Sequence, residues 1–158
     1  MLMELSELKK FLALANKTGY ASGNRKSLTK EKNHSTSISF KSDVWEFYDN
    51  YFGGEPYGGR EVIFYKGQPV WMMVYYGSVD NSIKPEKIYP FLQKALGLFP
   101  KDYPYRGPAV FEEDGYIYKN NWSGEIDNFS GKETIINDNK EIYSASYIGG
   151  FIDQRKEA

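Results

Sequence analysis

The residues best suited to chemistry in this chain are two glutamates in matched settings and one arginine in a loop between prolines. Glu61 lies in Gly59-Arg60-Glu61, and Glu133 lies in Gly131-Lys132-Glu133. Paired carboxylates divide acid and base roles when their surroundings split their pKa values. The same two residues also suit a plainer part, each at a strand start, bonded to turn amides or paired with Arg60 or Lys132. Arg106 sits in Pro104-Tyr105-Arg106-Gly107-Pro108. A rigid loop that aims a guanidinium fork suits carboxylate or phosphate recognition, and it equally suits a structural arginine bound to carbonyls or to an acid elsewhere. Trp45, Trp71, Trp122, Tyr75, Tyr76 and Tyr147 fit either the walls of a small-ligand pocket or an ordinary core.

Composition removes most other chemistries. The chain has no cysteine and one histidine, His34, in the polar stretch Lys32-Asn33-His34-Ser35. That excludes a disulfide scaffold, a thiolate metal site, cysteine catalysis and any multi-histidine metal site, so no metal and no cofactor are expected. The 15 glycines follow no phosphate-binding order, and Gly-x-Ser-x-Gly is missing, which argues against a common nucleotide-dependent enzyme or serine hydrolase. No catalytic residue is assigned on this basis. The 20 basic and 21 acidic residues nearly cancel, so a general nucleic-acid surface is not expected. The loose run Arg25, Lys26, Lys30 and Lys32 reads as a solvated loop. Met1-Leu2-Met3-Glu4-Leu5 is not a signal-peptide start, and no apolar run is long enough for a membrane, so a cytoplasmic protein is expected.

The elements that must position these residues follow from periodicity. Leu5, Leu8, Leu12 and Ala15, with Phe11 alongside, predict an amphipathic helix ending near Gly19. Residues 19–35 read as a mobile loop. Strand pairs are expected at 38–40 with 44–48, at 61–65 with 70–76, at 109–111 with 116–118, and at 134–136 with 142–147. Between them, a helix over about 86–97 carries Phe91, Leu92, Ala95 and Leu96, with Pro90 confined to its first turn.

A shift of about 72 residues lays Tyr57-Gly58-Gly59-Arg60-Glu61-Val62-Ile63 on Phe129-Ser130-Gly131-Lys132-Glu133-Thr134-Ile135, and Tyr75 on Tyr147. The expected fold class is therefore α+β. It has two pseudo-repeated units (about 4–77 and 85–150), each one helix plus a four-stranded antiparallel meander, packed as one body in a single domain, 1–158. A single continuous meander is the alternative.

Several motifs together resemble a known family. They are Tyr48-Asp49-Asn50-Tyr51-Phe52-Gly53-Gly54, Pro69-Val70-Trp71, Tyr75-Tyr76-Gly77, Pro104-Tyr105-Arg106-Gly107-Pro108, Phe129-Ser130-Gly131-Lys132-Glu133 and Gly149-Gly150. They are similar to an uncharacterised bacterial domain of unknown function, found alone or fused behind repressor-type helix-turn-helix modules. The resemblance spans about Leu5 to Phe151 and carries no established reaction. Fusion to a DNA-binding module implies a sensor or effector-binding role. Where that family often has Asn and His near the ends of its two long strands, this chain has Val74 and Ile148.

The leading expectation is a non-catalytic module that binds a small molecule, with Trp45, Glu61, Trp71, Tyr75, Arg106, Trp122, Glu133 and Tyr147 as the candidate ligand-binding residues. The alternatives are an enzyme of unknown reaction using Glu61, Glu133 and Arg106, or a protein-interaction module that forms a homodimer through an aromatic strand face.

Overall fold

Leu8, Phe11, Leu12 and Ala15 recur every three or four residues and are all buried on one face of helix α1 (Leu5–Thr18). A second helix, α2 (Tyr89–Leu96), follows a 3-10 turn at Pro85–Lys87 and buries Phe91, Leu92, Ala95 and Leu96. Pro90 lies in its first turn, where a missing N–H costs nothing, and Gly97 ends it by donating its N–H to Gln93 O at 3.0 Å. The computed structural model describes residues 3–19, 28–100, 103 and 105–155.

The remaining elements are nine strands: β1 (Leu28–Lys30), β2 (Thr36–Ser42), β3 (Trp45–Gly53), β4 (Tyr57–Tyr65), β5 (Gln68–Val79), β6 (Val110–Glu113), β7 (Tyr116–Glu125), β8 (Asn128–Asn137) and β9 (Lys140–Phe151). All pair antiparallel in one sheet of order β1-β2-β3-β4-β5-β9-β8-β7-β6. Three hairpins turn on two residues with positive φ: Lys66-Gly67, Asp114-Gly115 and Asp138-Asn139. That geometry matches the right-handed twist of the flanking strands. The sheet closes at a central seam, where β5 meets β9 with Tyr75 opposite Tyr147.

This architecture corrects the expected fold class. Among the described residues 54% lie in strands and 18% in the short helices, and the strands form one continuous nine-stranded antiparallel sheet. The chain does not form two α+β units of one helix and four strands each. The physical reason is the seam: β5 and β9 exchange backbone hydrogen bonds from Trp71–Phe151 to Val79–Tyr143, so neither set of strands ends in an edge there. The loop expected over 19–35 is also corrected in part, because 28–30 form edge strand β1. Residues 20–27, with Arg25 and Lys26, lie outside the described residues.

One face of the sheet is apolar along alternate positions, and the helices rest on it. Below α1 lie Ile38, Trp45, Phe47, Ile63, Trp71 and Met73; below α2 lie Tyr118, Ile135, Ile142, Tyr143 and Ala145. Trp71 is fully buried and donates Nε1–H to Ile126 O at 3.0 Å. Across the middle of this face runs a row Tyr51–Gly59–Tyr75–Tyr147–Gly131–Trp122, opposite one another strand by strand. A Cβ at Gly131 would run into the Tyr147 ring. Gly131→Ala is therefore expected to cost about 1–3 kcal/mol through overpacking, read as a lower urea midpoint with unchanged m-value; a neutral effect would mean that the ring moves freely.

Candidate functional site

Alternation in four strands brings polar side chains onto the apolar face. In β3 the inward positions are Trp45, Phe47, Asp49 and Tyr51, and in β4 they are Tyr57, Gly59, Glu61 and Ile63. Asp49 and Glu61 stand directly opposite each other, with both side chains on that face and both residues buried. Beyond the seam, Asn120 on β7 stands opposite Glu133 on β8 in the same manner. Tyr75 reaches from the seam to donate its hydroxyl to Asp49 Oδ1 at 2.5 Å, and Tyr147 reaches the other way to Asn120 Oδ1 at 2.6 Å.

The two glutamates have opposite surroundings. Glu133 is fully buried and fully supplied with donors. Arg106 forms an ion pair with its Oε1, Tyr143 donates to Oε1 at 2.8 Å, and Tyr118 donates to Oε2 at 2.5 Å. The loop that carries Arg106 is itself tied down: Gly107 N–H donates to the Tyr118 hydroxyl at 3.0 Å, and Asn120 Nδ2 donates to Gly107 O at 2.9 Å. Glu61 has no such supply, and its Oε2 is buried without a hydrogen-bond partner. Ile135 on β8 faces Tyr118, whereas Ile63 on β4 faces Phe47, which has no hydroxyl to give.

A cavity of about 560 Å³ opens over this uneven pair. Asp49 and Tyr51 of β3, Tyr57 and Glu61 of β4, and Tyr75 of β5 line its sheet side. Asn16 of α1, Leu96 of α2, Phe99, Tyr105 and Arg106 close it from above. Lys30 and Glu55 also reach its wall, where Lys30 donates to Thr36 Oγ1 at 2.7 Å and Glu55 accepts from Val79 N–H at 2.6 Å. Three buried side-chain polar atoms lack a partner among the described residues: Glu61 Oε2, Tyr105 Oη and Arg106 Nε. All three belong to residues that line this cavity.

Burial governs the charges here. It pushes the Glu61 carboxyl up to about 8, with the neighbouring Asp49 charge adding and Arg106 opposing. It pushes Asp49 up to about 6, against the hydrogen bond from Tyr75 and the charge of Arg106. Burial works against the Arg106 cation, but Glu133, Tyr57 and Tyr143 together outweigh it and hold the guanidinium protonated. Burial, then the charge of Asp49, raises the Tyr75 hydroxyl, so it stays a donor. Among the described residues no cluster of three or more His, Cys, Asp or Glu is placed to hold a metal ion.

Of the residues singled out in the sequence, Glu61, Tyr75 and Arg106 meet at the cavity. Glu133 lies behind Arg106 as its counter-charge, and Tyr147 is buried against Asn120. Trp45 and Trp71 belong to the core cluster that includes α1, and Trp122 meets the Tyr103 ring in a tilted contact at 5.3 Å; none of the three lines the cavity. Glu61 is matched with Asp49 across the β3–β4 ladder, not with Glu133. Sequence reasoning missed Asp49, Tyr57, Tyr105 and Asn120. An acid in the apolar phase of Trp45-x-Phe47-x-Asp49-x-Tyr51 was the signal for the first of them.

No helix among the described residues is long and apolar enough to cross a membrane. No curated protein and no solved structure matches the chain. A family model does match, over residues 49–152, which runs from the middle of β3 through β9 and includes Asp49, Glu61, Tyr75, Arg106 and Glu133. The chain belongs to that family, a domain of unknown function designated DUF5680.

Proposed function

We propose that this chain is a small-molecule-binding domain, with its ligand held in the cavity above Asp49, Glu61 and Tyr75. The observation that carries this reading is the coincidence of the unpartnered atoms with the cavity. Buried polar atoms in native proteins are almost always hydrogen-bonded, and each exception calls for a reason. Here Glu61 Oε2, Tyr105 Oη and Arg106 Nε all sit on one lining, around a space of ordinary ligand size. A ligand that supplies their partners relieves all three. The resemblance to bacterial domains found alone or behind repressor-type helix-turn-helix modules supports a sensing use of such a site.

A metabolite-library thermal-shift screen tests the reading. A ligand at about a hundred times its Kd adds about 2.7 kcal/mol, a rise of a few degrees at this size. The variant Leu96→Trp enlarges a residue of the cavity wall that is also packed in the core under α2; once circular dichroism shows it folded, it is expected to lose that response. A library that shifts the wild type nowhere, or shifts Leu96→Trp equally, removes the cavity as a ligand site.

A second reading has its own observation. Asp49 and Glu61 are opposed carboxyls whose surroundings split their pKa values, the arrangement used for acid–base chemistry. Conversion of a screening hit on incubation with wild type, and not with Asp49→Asn, favours an enzyme.

A further inference from the structure

Reading the cavity as a ligand site leaves open what enters it, and the donors around Glu61 narrow the answer. Glu61 Oε2 makes no hydrogen bond, so a ligand that draws out its ionised form must bring a hydrogen to it. Of the protein's own donors nearby, Tyr75 is engaged with Asp49, Lys30 with Thr36, and Arg106 Nη2 with Glu133 and, at 3.5 Å, the Tyr57 hydroxyl. Arg106 Nε and Tyr105 Oη are open, but neither bonds Glu61, and Arg106 Nε calls for an acceptor elsewhere on the ligand. The charged groups facing Glu61 are Asp49 from β3 and Arg106 from the loop before β6, with Lys30 and Glu55 further along the wall and Glu133 behind Arg106. The titratable hydroxyls of Tyr51, Tyr57, Tyr75, Tyr89 and Tyr105 line the same cavity. Carboxyls thus outnumber cations there, and the ion pair with Glu133 already uses the charge of Arg106.

Resting on the ligand-site reading above, we propose that the ligand carries a primary ammonium group, held between the opposed carboxyls of Asp49 and Glu61 and walled by tyrosine rings. An ammonium offers three donors and no acceptor, which matches two carboxyls that need hydrogens and charge. Tyr51 and Tyr57 line the same space, and a cation over their rings gains cation–π attraction. Two carboxyls are too few to cage a divalent metal, which takes six or more oxygens or keeps several waters. The apolar lining at Leu96 and Phe99 fits a hydrocarbon or aryl body behind the charged head. Binding the cation favours the ionised form of Glu61, so ligand entry expels a proton.

The test is calorimetry on the full chain with two charged probes and their neutral counterparts: 2-phenylethylamine against 2-phenylethanol, and n-hexylamine against n-hexanol. Each is titrated at about pH 6.5 and about pH 8.5, in two buffers of different ionisation enthalpy to count protons. The amines are expected to bind about tenfold or more tightly than the alcohols. Their affinity should rise about tenfold between the two pH values, with a proton released at the lower one. Glu61→Gln should weaken amine binding about tenfold and abolish the pH dependence. Should that variant fail to fold, Asp49→Asn carries the same expectation of weaker binding. Amines and alcohols bound alike, amine affinity indifferent to both substitutions, or no amine bound at millimolar concentration each overturn the proposal. Neutral or anionic hits in the metabolite screen overturn it while leaving the ligand site standing. A screen without hits removes the site itself.

Discussion

Replacing Arg106 by alanine is expected to lower the stability of the fold by about 3–5 kcal/mol, the usual cost of stranding one member of a buried ion pair. The residue left behind is Glu133, which is fully buried, and the hydroxyls of Tyr118 and Tyr143 cannot neutralise it. The loss extends past the pair. Arg106 Cζ lies 5.4 Å over the Tyr75 ring, and its neighbour Gly107 holds Tyr118 and Asn120, so the loop that roofs the cavity loosens with it. Urea denaturation of Arg106→Ala beside Arg155→Ala checks this, because Arg155 is exposed and should cost about 0.5 kcal/mol or less. A loss below about 1 kcal/mol in Arg106→Ala would show that Glu133 takes up a proton or finds water in its place.

Glu61 gives the second large effect, of the opposite sign. Its ordinary value is 4.5, and burial raises it to about 8 in the folded protein. Below 4.5 both states hold the proton, and Glu61 costs nothing. As the pH climbs from there to about 8 the unfolded chain releases the proton and the native protein keeps it, so stability falls. Above about 8 the loss is complete, and it amounts to several kcal/mol at about 1.4 kcal/mol per unit. Asp49, raised from 3.8 to about 6, adds a smaller fall in the same direction at lower pH. Glu61→Gln, which stays neutral, is expected to flatten the profile and to exceed wild-type stability by about 2–4 kcal/mol near pH 9. Melting temperatures of both proteins across about pH 4 to 9 decide the matter. Parallel profiles would mean that water reaches Glu61 Oε2 and keeps its pKa ordinary.

Much of the element pattern was legible in the sequence, because local signals set it. The leucine spacing of α1, Pro90 at the start of α2 and the Asp114-Gly115 and Lys66-Gly67 turns each act over a few residues. The joining of β5 to β9 was not legible, since both strands carry the same alternating pattern whether they end a sheet or sit in its middle. Matching Gly-x-Glu segments suggested that Glu61 and Glu133 serve one site together. Their difference lies in residues distant in the chain: Arg106, Tyr118 and Tyr143 around one, Asp49 and Phe47 beside the other. The aromatic candidates divided for a similar reason. Trp71 and Tyr75 share a strand face and a core cluster four residues apart, yet Tyr75 lines the cavity and Trp71 does not.

The seam between β5 and β9 also sets how the chain finds its fold. Every other strand pairing among the described residues joins neighbours in sequence through a hairpin or short loop, and such contacts form within microseconds. Pairing Trp71 with Phe151 and Val79 with Tyr143 instead requires closing a loop that contains α2 and three strands, β6 to β8. The entropy of that closure is lost before the seam contributes any contact, so the seam is the slow step of assembly. Until it forms, β5 and β9 each expose a long edge rich in aromatic and β-branched residues, Trp71 to Val79 and Tyr143 to Phe151. A nascent chain released with the seam open is a substrate for edge-to-edge association, and rapid closure of this one ladder is what protects it.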